Sequence, residues 1–551
     1  MDFHYLQGYT SRGALSRTDN LTSNENGIID RGSNLMPKES LMAILTRRKF
    51  LATAAVGAAL GPWTVASPRA CGQVLGANDA IRVGVVGLRG RGQLHMEMVS
   101  EVPGFRLAAL CDVDAAVLGR AVERARAGKE RAAVVAVQDV RQLLERKDID
   151  AVTIATPNHW HALIGVWACQ AGKDVYIEKP VSHNVWEGRQ LVNAARKHHR
   201  MVETGTQARA NPDVIEAVAW VRAGNLGKVL YARGTCYKPR MSIGKFGKGE
   251  IPAGLDYNLW TGPAPLKPLA RKNLHYDWHW IYDYGNGDLG NQGIHEMDIA
   301  RWFLGYTTLS PHVMSVGGRL GYDDDGQTPN TQLVYHDYGG PPLLFEVRGL
   351  PRSKEHQRDG AWGRSMDATD ALSPDFGIGV VVACEGGKCV VIDGGEMAVA
   401  VDRRGKVLRQ FDTSHPRFGR GWSKGDHFNF ASWQQAIRSR NPADLKAEIL
   451  EGHLSSALCH TGMISHRIGQ ATPAGRIHGR IQSNRLAAER FGSMQEHLGR
   501  NGVDLTKTPL VLGPWLSMDP KTERFLDNDA ANALLRRDYR KPFVVPEVVQ
   551  S

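Results

Sequence analysis

Cysteine is scarce. Seven are spread over 551 residues (Cys71, Cys111, Cys169, Cys236, Cys384, Cys389 and Cys459), an odd number with no C-x-x-C spacing. That pattern argues against a disulfide framework and a zinc cluster, and no metal site is expected. Long apolar runs are also missing. The one tract that invites a membrane reading, residues 52–60, is built mostly of Ala and Gly and is too short and too weakly apolar to span a bilayer well. The formal net charge is +11, yet Lys and Arg are scattered among acids with no long basic run and no basic and aromatic stripe. Nucleic acid is therefore not expected as a partner. There is no internal repeat and no low-complexity segment. The length suffices for two domains with appendages.

Residues 1–40 are polar, without apolar period, and are expected to form no packed element. They invite initiation at Met36 or Met42. The segment 41–75 contains T-R-R-K-F-L, with Arg47 and Arg48 ahead of the Ala/Gly tract. This resembles a twin-arginine export signal, which implies the twin-arginine translocase as a partner and a periplasmic destination, or an anchored form if the signal is not cleaved.

From residue 76 to about 206, short apolar runs alternate with amphipathic stretches. Strands are expected over 82–87, 106–112, 150–156, 174–178 and 201–205, giving a parallel sheet covered on both faces, the doubly wound dinucleotide-binding fold. The region 207–470 turns to longer Val-, Tyr- and Thr-rich segments in meander order, so a second α/β domain with a large, mostly antiparallel open sheet is expected. Residues 238–255 and 351–376 read as surface loops. The proline-marked stretch 471–551 reads as an extended tail packed on the body.

The organising motif is I-R-V-G-V-V-G-L-R-G-R-G (81–92), a strand running into a glycine-rich turn and a helix, which lets backbone N–H groups hold a pyrophosphate. Gly87, Leu88, Arg89, Gly90, Arg91 and Gly92 are the phosphate-side candidates. Asp112 ends the next strand twenty residues after Gly92, where a carboxylate accepts adenosine ribose hydroxyls and repels a 2′-phosphate. NAD is favoured over NADP. T-P-N-H-W-H (156–161) and E-K-P (178–180) fall at the carboxyl edge of the sheet, which adds Thr156, Pro157, Asn158, His161, Glu178 and Lys179 to the cofactor side. Lys179 can bond a substrate hydroxyl and steady the developing oxyanion. His295, in G-N-Q-G-I-H-E-M-D (290–298), sits near a helix start whose dipole favours a neutral base. The aromatic run 273–284 offers Trp278, His279 and Trp280 as a sugar platform or as core, and Asp298 is a further substrate-side candidate.

Taken together, the turn, Asp112, T-P-N-H-W-H, E-K-P and the helix with His295 resemble the Gfo/Idh/MocA oxidoreductases over about 81–469. The resemblance implies NAD(P), a sugar or polyol substrate, an open sheet that often mediates homo-oligomerisation, and Lys179 and His295 as catalytic lysine and histidine. Two positions depart from the family pattern. Arg89 stands where glycine is usual, and Asn291 where many members carry aspartate four residues before the histidine. Asn291 is kept as a catalytic candidate that can orient but not retain a proton. The expected activity is hydride transfer on a carbohydrate or polyol with a tightly held nucleotide. Redox-neutral glycosidic cleavage with the same nucleotide, and a non-catalytic sugar-binding module, are the alternatives.

Overall fold

The computed structural model describes residues 79–128, 133–357, 365–372, 376–413, 422–482 and 484–549. The polar first forty residues and the twin-arginine segment lie outside them. Six strands, β1 (Ile81–Val86), β2 (Phe105–Cys111), β3 (Val135–Val137), β4 (Ala151–Ile154), β5 (Asp174–Ile177) and β6 (Val202–Thr204), form one sheet in the order β3-β2-β1-β4-β5-β6. Every pairing in it is parallel. All residues of β4 and β5 are buried, as befits strands covered on both faces. The strand order reverses between β1 and β4, so a ligand crevice opens at their carboxyl ends. The edge strand β3 is too short to read from the sequence, with Val135 and Val137 half-buried and Ala136 exposed.

Helices α1 (Arg91–Glu101), α2 (Asn158–Gln170) and α3 (Val185–Lys197) belong to this domain. The second domain is built on a twelve-stranded sheet. Its long strands are β7 (Val229–Cys236), β8 (His312–Gly318), β9 (Thr331–Asp337), β10 (Leu343–Arg348), β11 (Ile378–Cys384), β12 (Gly387–Ile392), β13 (Met397–Asp402) and β14 (Val407–Phe411). They lie in the order β14-β13-β12-β11-β7-β10-β9-β8. Neighbours run antiparallel except β7 and β10, which are parallel, so the sheet is mixed. That single parallel contact arises because β7 enters from the first domain and is inserted between strands that come much later in the chain.

A short helix α4 (Gly287–Asn291) leads into α5 (Gly293–Leu304), which crosses the sheet over β7. Gly234 of β7 is needed there, since a Cβ on it would lie 2.8 Å from that of Glu296. The long helices α6 (Trp422–Ser439) and α7 (Ile449–Arg467) close the body. Beyond residue 470 the chain is not an extended tail. It forms α8 (Ala474–Ile481), α9 (Arg485–Arg500), and strands β15 (Gln470–Thr472), β16 (Leu510–Leu512), β17 (Leu516–Asp519) and β18 (Arg524–Phe525) that extend the sheet past β8. Ile477, Ile481, Phe491, Met494 and Leu498 bury one face of the two helices. Only the last stretch is extended: Phe543, Val545 and Val548 sink into the first domain's core beside Trp160 and Val192.

Candidate active site

The glycine-rich turn shows why arginine is tolerated at 89. Gly87 has φ +82° and Gly90 φ +39°, both in the region that L side chains avoid. Gly92 is fixed by close approach, because a Cβ there would sit 1.8 Å from Gly87 O. Position 89 meets neither demand, so the three glycines do their work at 87, 90 and 92 and Arg89 stands exposed. A Cβ on Gly90 would meet nothing within 4 Å, so the outer face of the turn is open. That open turn at the head of α1, an eleven-residue helix, fits a dinucleotide's pyrophosphate.

Asp112 stands beside the turn, where its Oδ2 accepts the Leu88 N–H at 2.8 Å and its Oδ1 the Asp114 N–H at 3.0 Å. Burial raises its pKa, and the two amides oppose that rise. An ionised carboxylate accepts more than one bond per oxygen, so lone pairs remain for ribose hydroxyls. Arg91 is a different matter. Its guanidinium turns away from the turn to Glu178 Oε1 at 2.8 Å and Asp426 Oδ1 at 2.7 Å, which leaves only its backbone for a phosphate. Glu178 is likewise committed, to Arg91 and to His95 Nε2 at 3.3 Å, and the Arg91 guanidinium outweighs burial to hold its carboxyl well below the usual range.

Lys179 and the α4–α5 segment meet. The lysine Nζ donates to the backbone carbonyl of Asn291 at 2.6 Å. Burial pulls its pKa down to about 8 against the opposing charge of the adjacent Glu178, and the Arg91 and Lys238 cations add to the fall. His295 is buried, and burial together with the Lys179 ammonium drives its pKa well below 6.5, so the imidazole is neutral. Its neutrality therefore comes chiefly from desolvation, ahead of the helix dipole expected from sequence. Glu296 is fully buried with its pKa raised to about 8 and its Oε1 accepting from Gln292 at 3.2 Å. The contact of Asn291 with Lys179 runs through its carbonyl, which any residue supplies.

Several predicted residues are committed elsewhere. His161 places its two ring nitrogens against Pro180 O at 2.6 Å and Thr156 O at 2.7 Å, tying the ends of β4 and β5 together and leaving neither nitrogen for a cofactor. Pro157 precedes α2 as its cap, and Asn158 donates to Asn286 Oδ1 at 3.0 Å. Trp278 is 9% exposed and packs with Tyr257, Trp260 and Tyr284, and Trp280 is 4% exposed, so both are core and neither is an open platform. Asp298 is fully buried and its oxygens are taken by Arg209 and Ser455, so it faces no substrate. His279 is half-buried, donates from Nδ1 to Tyr276 O at 2.5 Å, and is held neutral at about 3, first by burial. Lys179 and Arg240 depress it further, which places it on the Lys179 side of the aromatic cluster.

Two cations escaped the sequence reading because they begin what looked like a surface loop. Arg240 pairs with buried Asp288 of α4 at 3.0 Å and donates to Tyr276 Oη at 2.9 Å. Lys238 is half-buried two residues earlier. The period-2 run Gly234, Cys236, Lys238 was the signal available for them.

The arrangement is that of a two-domain nucleotide-binding α/β protein whose basic and acid/base groups gather at the open end of the parallel sheet. Residues 81–206 match the Gfo/Idh/MocA family model described as oxidoreductase family, NAD-binding Rossmann fold, and residues 233–341 match the family's C-terminal α/β domain. The chain thus carries both domains of the Gfo/Idh/MocA oxidoreductases. It is similar to a glycosyl hydrolase family 109 protein of Shewanella baltica, 30% identical over 184 residues, 33% of this chain and 40% of that protein. It also resembles an alpha-N-acetylgalactosaminidase of Shewanella oneidensis, 31% identical over 156 residues, 28% of this chain and 34% of that one. The chain spans about two fifths or less of the curated relatives it matches. Among solved structures it resembles levoglucosan dehydrogenase in complex with NADH and levoglucosan (17% identity, TM-score 0.51, 70% of this chain and 96% of that chain). An oxidoreductase domain protein from Kribbella flavida is equally close in fold (19% identity, TM-score 0.51, 70% and 96%).

Proposed function

We propose that the protein is an exported NAD(H)-containing oxidoreductase that moves a hydride between the nicotinamide and a carbinol of a carbohydrate or polyol. The observation that carries this reading is the contact of Lys179 with the Asn291 carbonyl, which sets an ammonium and the neutral His295 at the carboxyl edge of a NAD-binding domain. When bound, the nicotinamide supplies the hydride acceptor. The chain's own groups manage the proton. Lys179 donates a hydrogen bond to the reacting oxygen and favours its anionic form. His295 takes the carbinol proton at a ring nitrogen, which only a neutral imidazole can do. Arg91 and His95 take Glu178 Oε1, and the Lys179 ammonium forms no ion pair with that carboxylate. The T-R-R-K-F-L segment supports export, and export of a folded protein supports a nucleotide loaded beforehand and retained.

The first test is to denature the purified protein, identify the released nucleotide, and follow nicotinamide reduction in the intact protein against a sugar and polyol panel. Bound nucleotide whose oxidised form is reduced by at least one carbinol is expected; protein with neither nucleotide nor NAD affinity points to a non-catalytic module. A second reading rests on the similarity of part of the chain to glycosyl hydrolase family 109 proteins. In it the hydride returns within each turnover and a glycoside is cleaved without net redox change. Glycoside cleavage with no accumulated NADH would select it.

A further inference from the structure

Strand β7 and helix α5 run antiparallel across one another. At one end Val229 lies with Phe303 and Leu304 around a shared cavity, in the middle Gly234 lies under Glu296, and past the strand Arg240 reaches Asp288. Residues of a strand alternate faces, so Gly234, Cys236 and Lys238 share the face that the helix covers. Cys236 is buried in the same core as Ile294 and Met297. Lys238 is the next residue of that alternation, two past the end of the strand, and its charge acts on both Lys179 and His295.

Two ammonium groups thus converge on one end of one helix. Tyr237 and Arg240 fix the backbone on either side through bonds to Gly377 O at 2.8 Å and Gly349 O at 2.8 Å, so Lys238 is held there. Among the described residues its ammonium makes no ion pair and no hydrogen bond. No neighbouring carboxylate bonds it, although the charges of Asp288 and Asp393 act on it and the buried Asp288 Oδ2 has no hydrogen-bond partner. Asp288 Oδ1 takes both bonds from Arg240, Glu178 is held by Arg91, and Glu296 bonds Gln292. Asp393, whose pKa burial raises and Lys238 lowers, lies beyond ion-pair distance. Burial lowers the Lys238 pKa as well. A lysine drawn out of water without an anionic partner is costly unless a ligand supplies one.

We propose that Lys238 is a specificity residue of the substrate site and that the preferred sugar carries an anionic oxygen group, a carboxylate or an ester sulfate, which Lys238 binds while Lys179 engages the reacting hydroxyl. This rests on the hydride-transfer reading for the identity of the site, and it narrows the substrate class to acidic sugars.

The test uses the full chain with its nucleotide, as wild type, Lys238→Met and Lys238→Arg. Glucuronate, glucose 6-sulfate and glucose are each titrated by calorimetry, and nicotinamide reduction is followed in parallel. For wild type, at least one anionic sugar is expected to bind roughly ten- to a hundred-fold tighter than glucose, the range for a charge-assisted bond. Which anionic sugar gains decides between carboxylate and sulfate. In Lys238→Met that ratio should fall to about one, and in Lys238→Arg most of it should survive. Bound nucleotide content reports that each variant is folded. Equal binding of charged and neutral sugars by wild type overturns the proposal, as does a ratio unmoved in Lys238→Met; a variant that merely lost a counter-charge to Asp288 would melt lower with its ratio intact. Nicotinamide reduction by glucose without an anionic preference would leave hydride transfer standing and remove only this inference. A Lys238-dependent anionic preference without any reduction would do the reverse.

Discussion

The pH dependence of turnover tests the site most directly, because Lys179 is held near a pKa of about 8 by burial with its neighbouring carboxylate already spoken for. If the ammonium is the hydrogen-bond donor to the reacting oxygen, about nine-tenths of it is present at pH 7 and about a tenth at pH 9, from a one-proton titration. The first-order rate of nicotinamide reduction at saturating sugar should then fall through an alkaline limb centred near 8, while His295, neutral throughout this range, adds no acid limb above pH 6. Lys179→Met should lose roughly a hundred- to a thousand-fold in that rate, the usual cost of a deleted oxyanion donor. Lys179→Arg keeps a cation that does not titrate below pH 12 and should replace the limb with a flat profile at lower rate. The measurement is single-turnover absorbance of the reduced nicotinamide from pH 6 to pH 10. A wild-type rate that rises through pH 8 would make the free amine the working form and refute the donor role.

Gly92→Ala places a methyl 1.8 Å from Gly87 O and should abolish nucleotide retention, whereas Gly90→Ala meets open space and should cost only about 1 kcal/mol of stability for its positive φ; nucleotide recovered per protein and denaturant midpoints separate the two. Glu296, raised from 4.5 to about 8, keeps its proton when folded and loses it when unfolded, so its contribution is full below pH 4.5 and is lost as pH rises toward 8. Glu296→Gln should therefore be more stable than wild type by about 2–4 kcal/mol at pH 7 and indistinguishable at pH 4, by denaturant unfolding. Arg91→Gln frees the buried Glu178 to act on Lys179, so the alkaline limb of turnover should move to higher pH; a limb that stays in place would show that Arg91 does not set the lysine.

What was legible in the chain is what is local. The turn at 81–92, Asp112 and E-K-P each occupy a few consecutive residues between a strand and a helix, and the alternation of short apolar runs with amphipathic helices specified the doubly wound order without further help. The side-chain commitments were not legible. Arg91 meets Glu178 across 87 residues and Asp426 across 335, and no spacing rule reaches that far. Trp278 and Trp280 show the limit of composition, because a dense aromatic run reads the same whether it faces solvent or core. The region after 470 was misread for a different reason. Its prolines suggest an extended chain, but Ile477 and Ile481, then Phe491, Met494 and Leu498, recur at helical spacing.

The electrostatics of the site follow from one decision in the fold, the direction in which Arg91 points. Had its side chain stayed with the glycine turn, Glu178 would pair with the next residue, Lys179, and an ion pair of neighbours would hold the lysine charged far above neutral pH and aimed at a carboxylate. Helix α6 prevents this by presenting Asp426, 2% exposed, so that two buried carboxylates draw Arg91 inward. Lys179 is then left without an ion-paired carboxylate, reaches across to the Asn291 carbonyl, and has its pKa lowered to about 8 by burial. Lys238 resembles it in part, since Arg240 takes Asp288 Oδ1 as Arg91 takes Glu178 Oε1. In both cases an arginine bonds a neighbouring carboxylate and the lysine forms no ion pair with it. Two half-buried lysines, neither in an ion pair, add positive potential that a neutral sugar does not balance and an acidic sugar would.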